Sequence, residues 1–525
     1  MNFAALRRLA ALALLALVAG CGREPDTGGN AASQPPAAPA ASFRVLAGSE
    51  LRDIEPAIVA AARKAGVAVT FDYAGTLDIV ERINAGERFD AILPPNGAYP
   101  MLALHEKPVA REKLFYSRVA LGVKTAKADA LGWTAKAPSW SDIARAAKDG
   151  RFRYAMTNPT SSNTGMSALF AVASAAAHKT EDLTVAEVDA SVLKDFLTGQ
   201  AIAAGSSGWL ADAFAKDPAA VDGIVNYEAV LLRLNEKLAA ADRLSLVYPV
   251  DGVISADYPL MLLDAGRRDA WQRIVDAVKA LDFQRDAVRA AFLRPANPDA
   301  PLAPALPTAA VAELSFPNSL DVIEQVLAAF QGEWRRPATS IFVLDVSGSM
   351  QGERLAAMRE ALKILSGVDA SAGTARYTRF QNRERVVLIS FASTVSTPQR
   401  IAFERDTLDQ SAAQVRAYAD ALVADGGTGI YAALAKAQDI AKIEAADPQR
   451  YVSIVLLTDG ENNAGMSADQ FRRRYGSARV RIFPILFGEA DADELRDIAE
   501  LSGGRTFDAR KAKLAGVFKE IRGYQ

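Results

Sequence analysis

The chain has 525 residues, with 60 Lys or Arg against 62 Asp or Glu and a formal net charge of −2; that length holds roughly two to four domains of usual size. No basic block stands out, which excludes a nucleic-acid footprint. One cysteine, Cys21, excludes a disulfide within the chain, and with only His105 and His178, far apart, the usual general bases and thiol nucleophiles of enzymes are missing.

Residues 1–20 do not read as part of a fold. Arg7 and Arg8 precede the apolar run Leu9 to Ala19, too short to span a bilayer as a stable helix, so a signal peptide is expected. Its end, Val18-Ala-Gly-Cys21, resembles a bacterial lipobox. The resemblance implies cleavage before Cys21 and lipidation of its thiol, giving a cell-envelope lipoprotein on the periplasmic side or at the cell surface. An aspartate after the cysteine would signal inner-membrane retention in enteric bacteria; Gly22 stands there, so the reading leans to the outer membrane. Residues 21–42, rich in Gly, Ala, Pro, Ser and Gln, are expected to form a disordered tether.

Strands and helices alternate from residue 43 to about 294. Phe43-Arg-Val-Leu-Ala reads as a strand, Gly48-Ser-Glu opens a helix through Ala65, Val67 to Tyr73 is a second strand and Ile79 to Ala85 a second helix. Phe89-Asp-Ala-Ile-Leu is a third strand, and a βαβαβ run of this kind implies right-handed crossovers and a parallel sheet. Tyr154 begins a short strand that leads through a polar loop to the alanine-rich helix Met166 to Ala177. Ser161, Ser162, Asn163 and Thr164 at that helix start offer hydroxyls beside free backbone N–H groups, a natural anion cradle. The same residues would also serve as N-caps for their own helices.

Ala47-Gly-Ser49, Asn158-Pro-Thr-Ser-Ser-Asn-Thr-Gly165, Val225-Asn-Tyr-Glu-Ala-Val-Leu231 and Leu246-Val-Tyr-Pro-Val-Asp-Gly252 resemble the corresponding pieces of type II periplasmic solute-binding proteins, nearest to the oxyanion-binding branch. The resemblance implies two α/β lobes around a cleft over 43–294, with the chain crossing near Arg118 and again near Val250. It also implies a ligand site at Ser49, Ser161, Ser162, Asn163 and Thr164 for a small molecule or oxyanion. Pro295 to Thr308 is a proline-stiffened linker by composition. Asn318 to Trp334 is expected as an amphipathic helix, capped by Asn318 or Ser319, with Leu320, Ile323, Val326, Leu327 and Phe330 facing a neighbouring lobe. The linker and this helix occupy 295–335.

The unbroken apolar run Ile341 to Leu344 reads as a strand buried on both faces of a parallel sheet, and it delivers Asp345, Ser347 and Ser349 at its carboxyl end. Gly348 lets the backbone turn so that both hydroxyls point one way. This hard, all-oxygen set suits magnesium, calcium or manganese and not zinc or copper. Asp425-Gly-Gly-Thr-Gly429 presents Thr428 at a helix start, and a second buried strand, Tyr451 to Thr458, ends at Asp459. Three element ends thus bring oxygen ligands to one sheet edge, where open α/β folds bind their ligands.

These three pieces resemble the metal-ion-dependent adhesion site of von Willebrand factor type A (VWA) domains, and 336–525 resembles such a domain throughout. The resemblance implies a doubly wound, Rossmann-like α/β fold. It also implies a metal held by Ser347, Ser349 and Thr428, with Asp345 and Asp459 acting largely through water. A position left open on magnesium is a docking point for a partner's acidic side chain. Further elements are expected as helices Arg354 to Leu365, Ser411 to Val423, Ile430 to Ile443 and Asp491 to Leu501, and as strands Arg385 to Phe391 and Arg481 to Phe487. A short strand near Thr506 and a helix Lys511 to Ile521 close the domain, while Ala372 to Glu384 reads as an exposed basic loop.

No catalytic residues are expected. A phosphatase-type aspartyl nucleophile at Asp345 would need a second aspartate where Ser347 stands, and P-loop and Gly-x-Ser-x-Gly patterns are absent. The sequence therefore reads as a membrane-anchored, non-enzymatic binding protein that docks a protein partner through a divalent cation. The alternative is an extracytoplasmic solute receptor in transport or signalling, with the VWA domain as its coupling element.

Overall fold

In the computed structural model, residues 42–368, 377, 379–478, 480–510 and 514–524 are described. The expected signal peptide, Cys21 and nearly all of the tether lie outside them. Two lobes, between which the chain passes back and forth, are followed by a VWA-like sheet.

The first lobe carries a five-stranded sheet in the order Val69–Tyr73, Phe43–Ala47, Ala91–Leu93, Pro259–Leu262, Ala110–Lys113. Its first three strands are parallel, with Phe43 opposite Val69 and Val45 opposite Ala91, as the βαβαβ run requires; the last two are antiparallel additions. In the second lobe the long strand Phe115–Lys124 is central to a seven-stranded sheet and pairs with Gly223–Tyr227, Leu244–Val247, Ser255–Ala256 and Arg294–Pro295. The chain changes lobes at Leu114 and again at Asp257 and Tyr258, a few residues from the crossings expected at Arg118 and Val250.

The helix expected from Met166 starts at Asn163, which puts Asn163 and Thr164 in its first turn instead of in the loop before it. The stretch after Ala47 is a 3-10 turn, Ser49–Asp53, followed by a separate helix, Glu55–Lys64. Pro295 to Thr308 is not a free linker. Ala300, Ala303 and Leu306 are buried, and Arg294 donates to the Pro307 carbonyl at 3.1 Å. The helix Leu320–Ala329 is capped by the Ser319 hydroxyl and buries Ile323, Val326 and Leu327 in the core of the solute-binding lobes, as its apolar stripe predicts.

The last sheet has six strands in the order Gln399–Phe403, Glu384–Phe391, Ala338–Asp345, Tyr451–Thr458, Arg481–Leu486, Phe507–Asp508. Every residue of the central strand Ala338–Asp345 is buried. Side chains alternate faces along a strand. Ile341 and Val343 accordingly join Ile430, Leu434 and Leu456 on one side, while Phe342 and Leu344 meet Met358, Leu362 and Phe518 on the other. Burying a side chain of this size contributes about 1.5–3 kcal/mol, so helices are held on both faces. Gln399–Phe403 runs antiparallel to its neighbour, an edge strand absent from the alternating pattern expected from the sequence.

The basic loop expected at 372–384 is corrected where it is described. Tyr377 and Phe380 are buried, and Arg383 donates to the Glu333 and Arg335 carbonyls. Arg379 is exposed as expected, and residues 372–376 and 378 lie outside the described residues. Next to it, the Glu384 carboxylate is shared by the Arg335 and Arg522 guanidinium groups, all three buried.

The C-terminal helix Leu514–Arg522 seats Val517, Phe518 and Ile521 in the VWA core, and its end touches the second lobe. Asn158 donates to the Arg522 carbonyl at 3.5 Å, and a Cβ added to Gly523 would stand 2.7 Å from the Gly205 Cα. The Arg505 guanidinium stacks 4.2 Å over the Trp209 ring, and Gln331 donates to Thr160 at 2.9 Å.

Candidate functional site

All five residues expected to hold a metal meet at the carboxyl edge of the VWA sheet. Asp345 ends the central strand with no exposed surface. One carboxylate oxygen accepts from the Ser347 N–H at 2.8 Å, and the other accepts from the Thr458 hydroxyl at 2.5 Å. The hydroxyls of Ser347 and Ser349 lie 3.1 Å apart, and Ser349 donates to Asp459 at 2.7 Å. A Cβ added to Gly460 would find the Thr428 hydroxyl at 3.5 Å and that of Ser349 at 3.8 Å, which places Thr428 in the same cluster. Ser349 is exposed and the others are buried, so the cluster opens to solvent on one side.

Local structure fixes these positions. The Gly348 N–H donates to the Gly426 carbonyl at 2.9 Å, locking the two loops together, and Gly426 at φ 83° adopts a conformation that glycine takes without strain. The Asn463 side chain accepts from the Thr428 N–H at 2.7 Å and holds the glycine-rich loop against the end of the second buried strand. Burial raises the Asp345 carboxyl above its usual range, with hydrogen bonds from Ser347 and Thr458 opposing the shift.

Sequence reasoning missed Arg354. It stands in the first turn of the helix Glu353–Leu365, and its guanidinium pairs with Asp459 at 2.6 Å with the side chain 34% exposed. A cation therefore already sits on one of the two acids. Thr458 was missed as well, although its place beside Asp459 at a strand end was signal enough to include it.

Whether a hard cation fits can be judged from the donor set. Among the described residues, no group of three or more His, Cys, Asp or Glu side chains could hold a metal, so soft or imidazole coordination has no support. The five residues offer carboxylate and hydroxyl oxygens alone, and Asp345 meets only neutral donors in its buried position. That combination fits magnesium, calcium or manganese.

The five residues expected in the solute cleft are divided between the lobes. Ser49, on the first lobe, bonds the Ser206 hydroxyl of the second at 2.6 Å and accepts from the Gly208 N–H at 3.2 Å. Ser161, on the second lobe, donates to the Asn158 carbonyl at 3.1 Å, and its own carbonyl faces Gly75 of the first lobe. Asn163 donates to the Tyr227 hydroxyl at 3.0 Å, and the Thr164 and Ser207 hydroxyls are 2.5 Å apart. Ser162 is buried at the helix N-cap without a cap bond from its side chain. The lobes are closed on each other, with Arg52 paired to Asp212 at 3.3 Å and Arg233 to Asp53 at 2.7 Å across the gap. One acid the sequence did not single out, Glu50, is buried here, and burial raises its carboxyl to about 7.

Residues 43–285 match the family model of bacterial extracellular solute-binding proteins, and residues 341–520 match that of the von Willebrand factor type A domain. Among curated proteins, the chain is 32% identical over 134 residues to inter-alpha-trypsin inhibitor heavy chain H4 of Sus scrofa, covering 25% of this chain and 13% of that protein. It is 27% identical over 198 residues to heavy chain H6 of Homo sapiens, covering 34% and 14%. The matches thus span only a small part of these relatives' own lengths. Among solved structures, a von Willebrand factor type A protein from Catenulispora acidiphila aligns at 22% identity over 36% of this chain and 42% of its own, with a TM-score of 0.30. The periplasmic binding protein AfuA from Actinobacillus pleuropneumoniae aligns at 13% identity over 55% and 97%, with a TM-score of 0.44. Solute-binding domains of this family are extracytoplasmic, and no helix among the described residues is long and apolar enough to cross a membrane.

Proposed function

We propose, for a chain that carries a bacterial solute-binding domain followed by a VWA domain, that it is a non-enzymatic, membrane-anchored binding protein of the cell envelope whose VWA domain docks a protein partner through a divalent cation. The observation that carries this reading is the convergence of Asp345, Ser347, Ser349, Thr428 and Asp459 at one sheet edge, open to solvent at Ser349. Ser347, Ser349 and Thr428 would hold the cation directly, and Asp345 and Asp459 would supply its counter-charge. A bound magnesium, calcium or manganese supplies an exchangeable coordination position for a carboxylate. The chain itself shapes the rest: Gly348 and Gly426 lock the loops, Asn463 orients Thr428, and Arg354 stands beside the opening, where it can receive the partner's acid as well.

Manganese titration of the full chain, followed by the paramagnetic signal of the free ion, tests the first step. One bound ion, lost in Asp345→Ala, supports the site; equal binding by both proteins refutes it. A partner captured from envelope extract with magnesium, and released by chelator, then tests the docking.

A second reading, a receptor for a small solute that is coupled to the VWA domain, is favoured by the cleft. Its lobes are held together by Ser49 and Ser206, and its walls carry buried polar atoms without partners, among them the Thr76 hydroxyl and the Asn163 amide oxygen. The helix starts at Thr76, Asn163 and Ser207 would favour an oxyanion. Calorimetry of the full chain against small solutes tests it, and both functions can reside in one molecule.

A further inference from the structure

Glu50 stands in the first turn of Ser49–Asp53, on the first lobe where it meets the second, and is 6% exposed. Its side chain curls back on its own turn, since a Cβ added to Gly48 would lie 2.4 Å from Oε1. Oε1 has no hydrogen-bond partner among the described residues. The cations around it are engaged elsewhere. Arg52, on the same turn, reaches the Ser49 carbonyl and Asp212. Arg233, from the helix Glu228–Lys237, reaches Asp53, the Ala291 carbonyl and the Glu50 backbone carbonyl, and not the Glu50 carboxylate. The phenols of Tyr73, Tyr227 and Tyr258 also face Glu50, whose charge opposes their ionisation, and Asp53, Asp212 and Lys237 line the same cavity. The carboxylate takes its own backbone N–H, and Arg233 and Arg52 lie near enough to favour its charge without bonding it. A buried acid with one unbonded oxygen therefore stands where the lobes meet, and it counts against an anionic solute.

Two further buried oxygens share this condition. The Asn163 amide nitrogen is spent on Tyr227, which leaves its oxygen without a partner, and the Thr76 hydroxyl has none. Both lie at helix starts that border the cleft, Asn163 on the second lobe and Thr76 on the first. A buried acceptor that finds no donor in the chain is a place for a donor from outside. An ammonium group brings donors and a positive charge, the complement of a buried carboxylate with an unbonded oxygen. A cavity of about 210 Å³ borders the interlobe contact and gives a route of approach; its charged lining is Glu50, Asp53 and Asp212 with Arg52, Arg233 and Lys237, and Arg52 and Arg233 are paired to Asp212 and Asp53.

We propose that the cleft takes a small solute bearing a protonated amine, with Glu50 as its counter-charge, instead of the oxyanion that the helix starts alone suggest. This rests on the solute-receptor reading. Nothing covalent is involved: the solute donates hydrogen bonds to Glu50, and the lobes close over it.

The test is titration calorimetry of the full chain with two probe sets, ethanolamine, putrescine and L-alanine on one side and inorganic phosphate, sulfate and molybdate on the other. The sign of the pH dependence separates the two classes. An amine binds the ionised carboxylate, so its affinity rises about tenfold per pH unit up to the Glu50 titration near 7 and then levels. An oxyanion binds better to the neutral acid, and its affinity falls as pH rises. Glu50→Gln keeps the shape, removes a buried charge and should fold. It is expected to weaken an amine by about tenfold or more.

An oxyanion that binds, and binds more tightly to Glu50→Gln, overturns the amine proposal and leaves the receptor reading in place. Absence of heat from every amine also overturns it. If the oxyanions are silent as well, and a Gly75→Ala block to closure changes nothing in the cross-linking of the lobes, the receptor reading falls with it.

Discussion

Gly75→Ala should hold the two solute-binding lobes apart without unfolding either. Gly75 has φ −71° and ψ 159°, which alanine adopts freely, so no backbone strain accompanies the change. Its effect lies across the cleft. The added Cβ would stand 2.2 Å from the Ser161 carbonyl oxygen and 3.1 Å from that of Gly205. Both atoms are backbone and cannot rotate aside. Ordinary contacts lie near ~3.5 Å, so the facing chains must separate by about 1 Å or more. That separation strains the Ser49–Ser206 bond and the Arg52–Asp212 and Arg233–Asp53 pairs. One buried hydrogen bond, one exposed ion pair and one half-buried ion pair amount to about 1–3 kcal/mol, roughly 5- to 150-fold in the closed population. The assay is disulfide formation between Ser49→Cys and Ser206→Cys in a Cys21→Ser background. The two hydroxyls are 2.6 Å apart, a separation that brings paired thiols within reach of a bond. In glutathione buffer, adding Gly75→Ala should slow cross-linking by about tenfold or more. A rate within about twofold of the parent would refute the steric argument.

Arg354→Ala frees Asp459 from its guanidinium, and because that pair is partly exposed the manganese affinity should rise by a few-fold at most, read by the same paramagnetic titration. Glu384→Gln leaves Arg335 and Arg522 as buried cations without a counter-charge, a loss of about 3–5 kcal/mol that should lower the melting temperature of the VWA transition by about 6–20 °C in calorimetry. The folded-state pKa of Glu50 lies above its unfolded value of 4.5, so the folded protein binds the extra proton between 4.5 and about 7, and stability falls as pH rises through that window. Denaturant titrations from pH 5 to 7.5 should show this slope, and Glu50→Gln should flatten it. Oxidised and reduced forms of the Ser49→Cys, Ser206→Cys protein should differ in manganese affinity if the cleft and the metal cluster communicate, and equal affinities would show that they do not.

The metal cluster was legible because its parts are local. Asp345, Ser347 and Ser349 lie within one strand end and turn, and Thr428 and Asp459 each sit where a helix starts or a buried strand stops. Arg354 was not legible, since one arginine in a first helical turn looks like any other, and its reach to Asp459 depends on how the helix is docked. The edge strand Gln399–Phe403 did leave a signal, with Ile401 and Phe403 buried and Arg400 and Ala402 exposed in alternation. The helix Ala468–Tyr475 left one too in its capping box, Ser467 with Gln470. Glu50 could not be read in advance. An acid in a first turn normally faces water, whereas this one is buried where the first lobe meets the second. The proline-rich stretch after Arg294 misled for the same reason: composition reports stiffness, while the burial of Ala303 and Leu306 is set by the surface that the chain happens to cross.

Gly205 shows how the two halves of the molecule are physically joined. Its carbonyl oxygen faces Gly75 of the first lobe, and its Cα is in tight contact with Gly523, just past the last helix of the VWA domain. Asn158, at the base of the loop that carries Ser161, bonds the carbonyl of Arg522 in the same helix end. The cleft therefore cannot open by moving this loop and Gly205 without either breaking their contacts with the C-terminal helix or carrying that helix along. The helix in turn seats Phe518 against Phe342 on the central strand, three residues before Asp345. Close packing resists gradual deformation, so a displacement at the helix end is either absorbed at its contact with the second lobe or passed into the strand that positions the metal cluster. The buried Arg335, Glu384 and Arg522 group favours the first outcome, since it ties the helix to the start of its neighbouring strand and raises the energy needed to move it. Weakening that group, as in Glu384→Gln, would therefore loosen the helix end as well as lower stability.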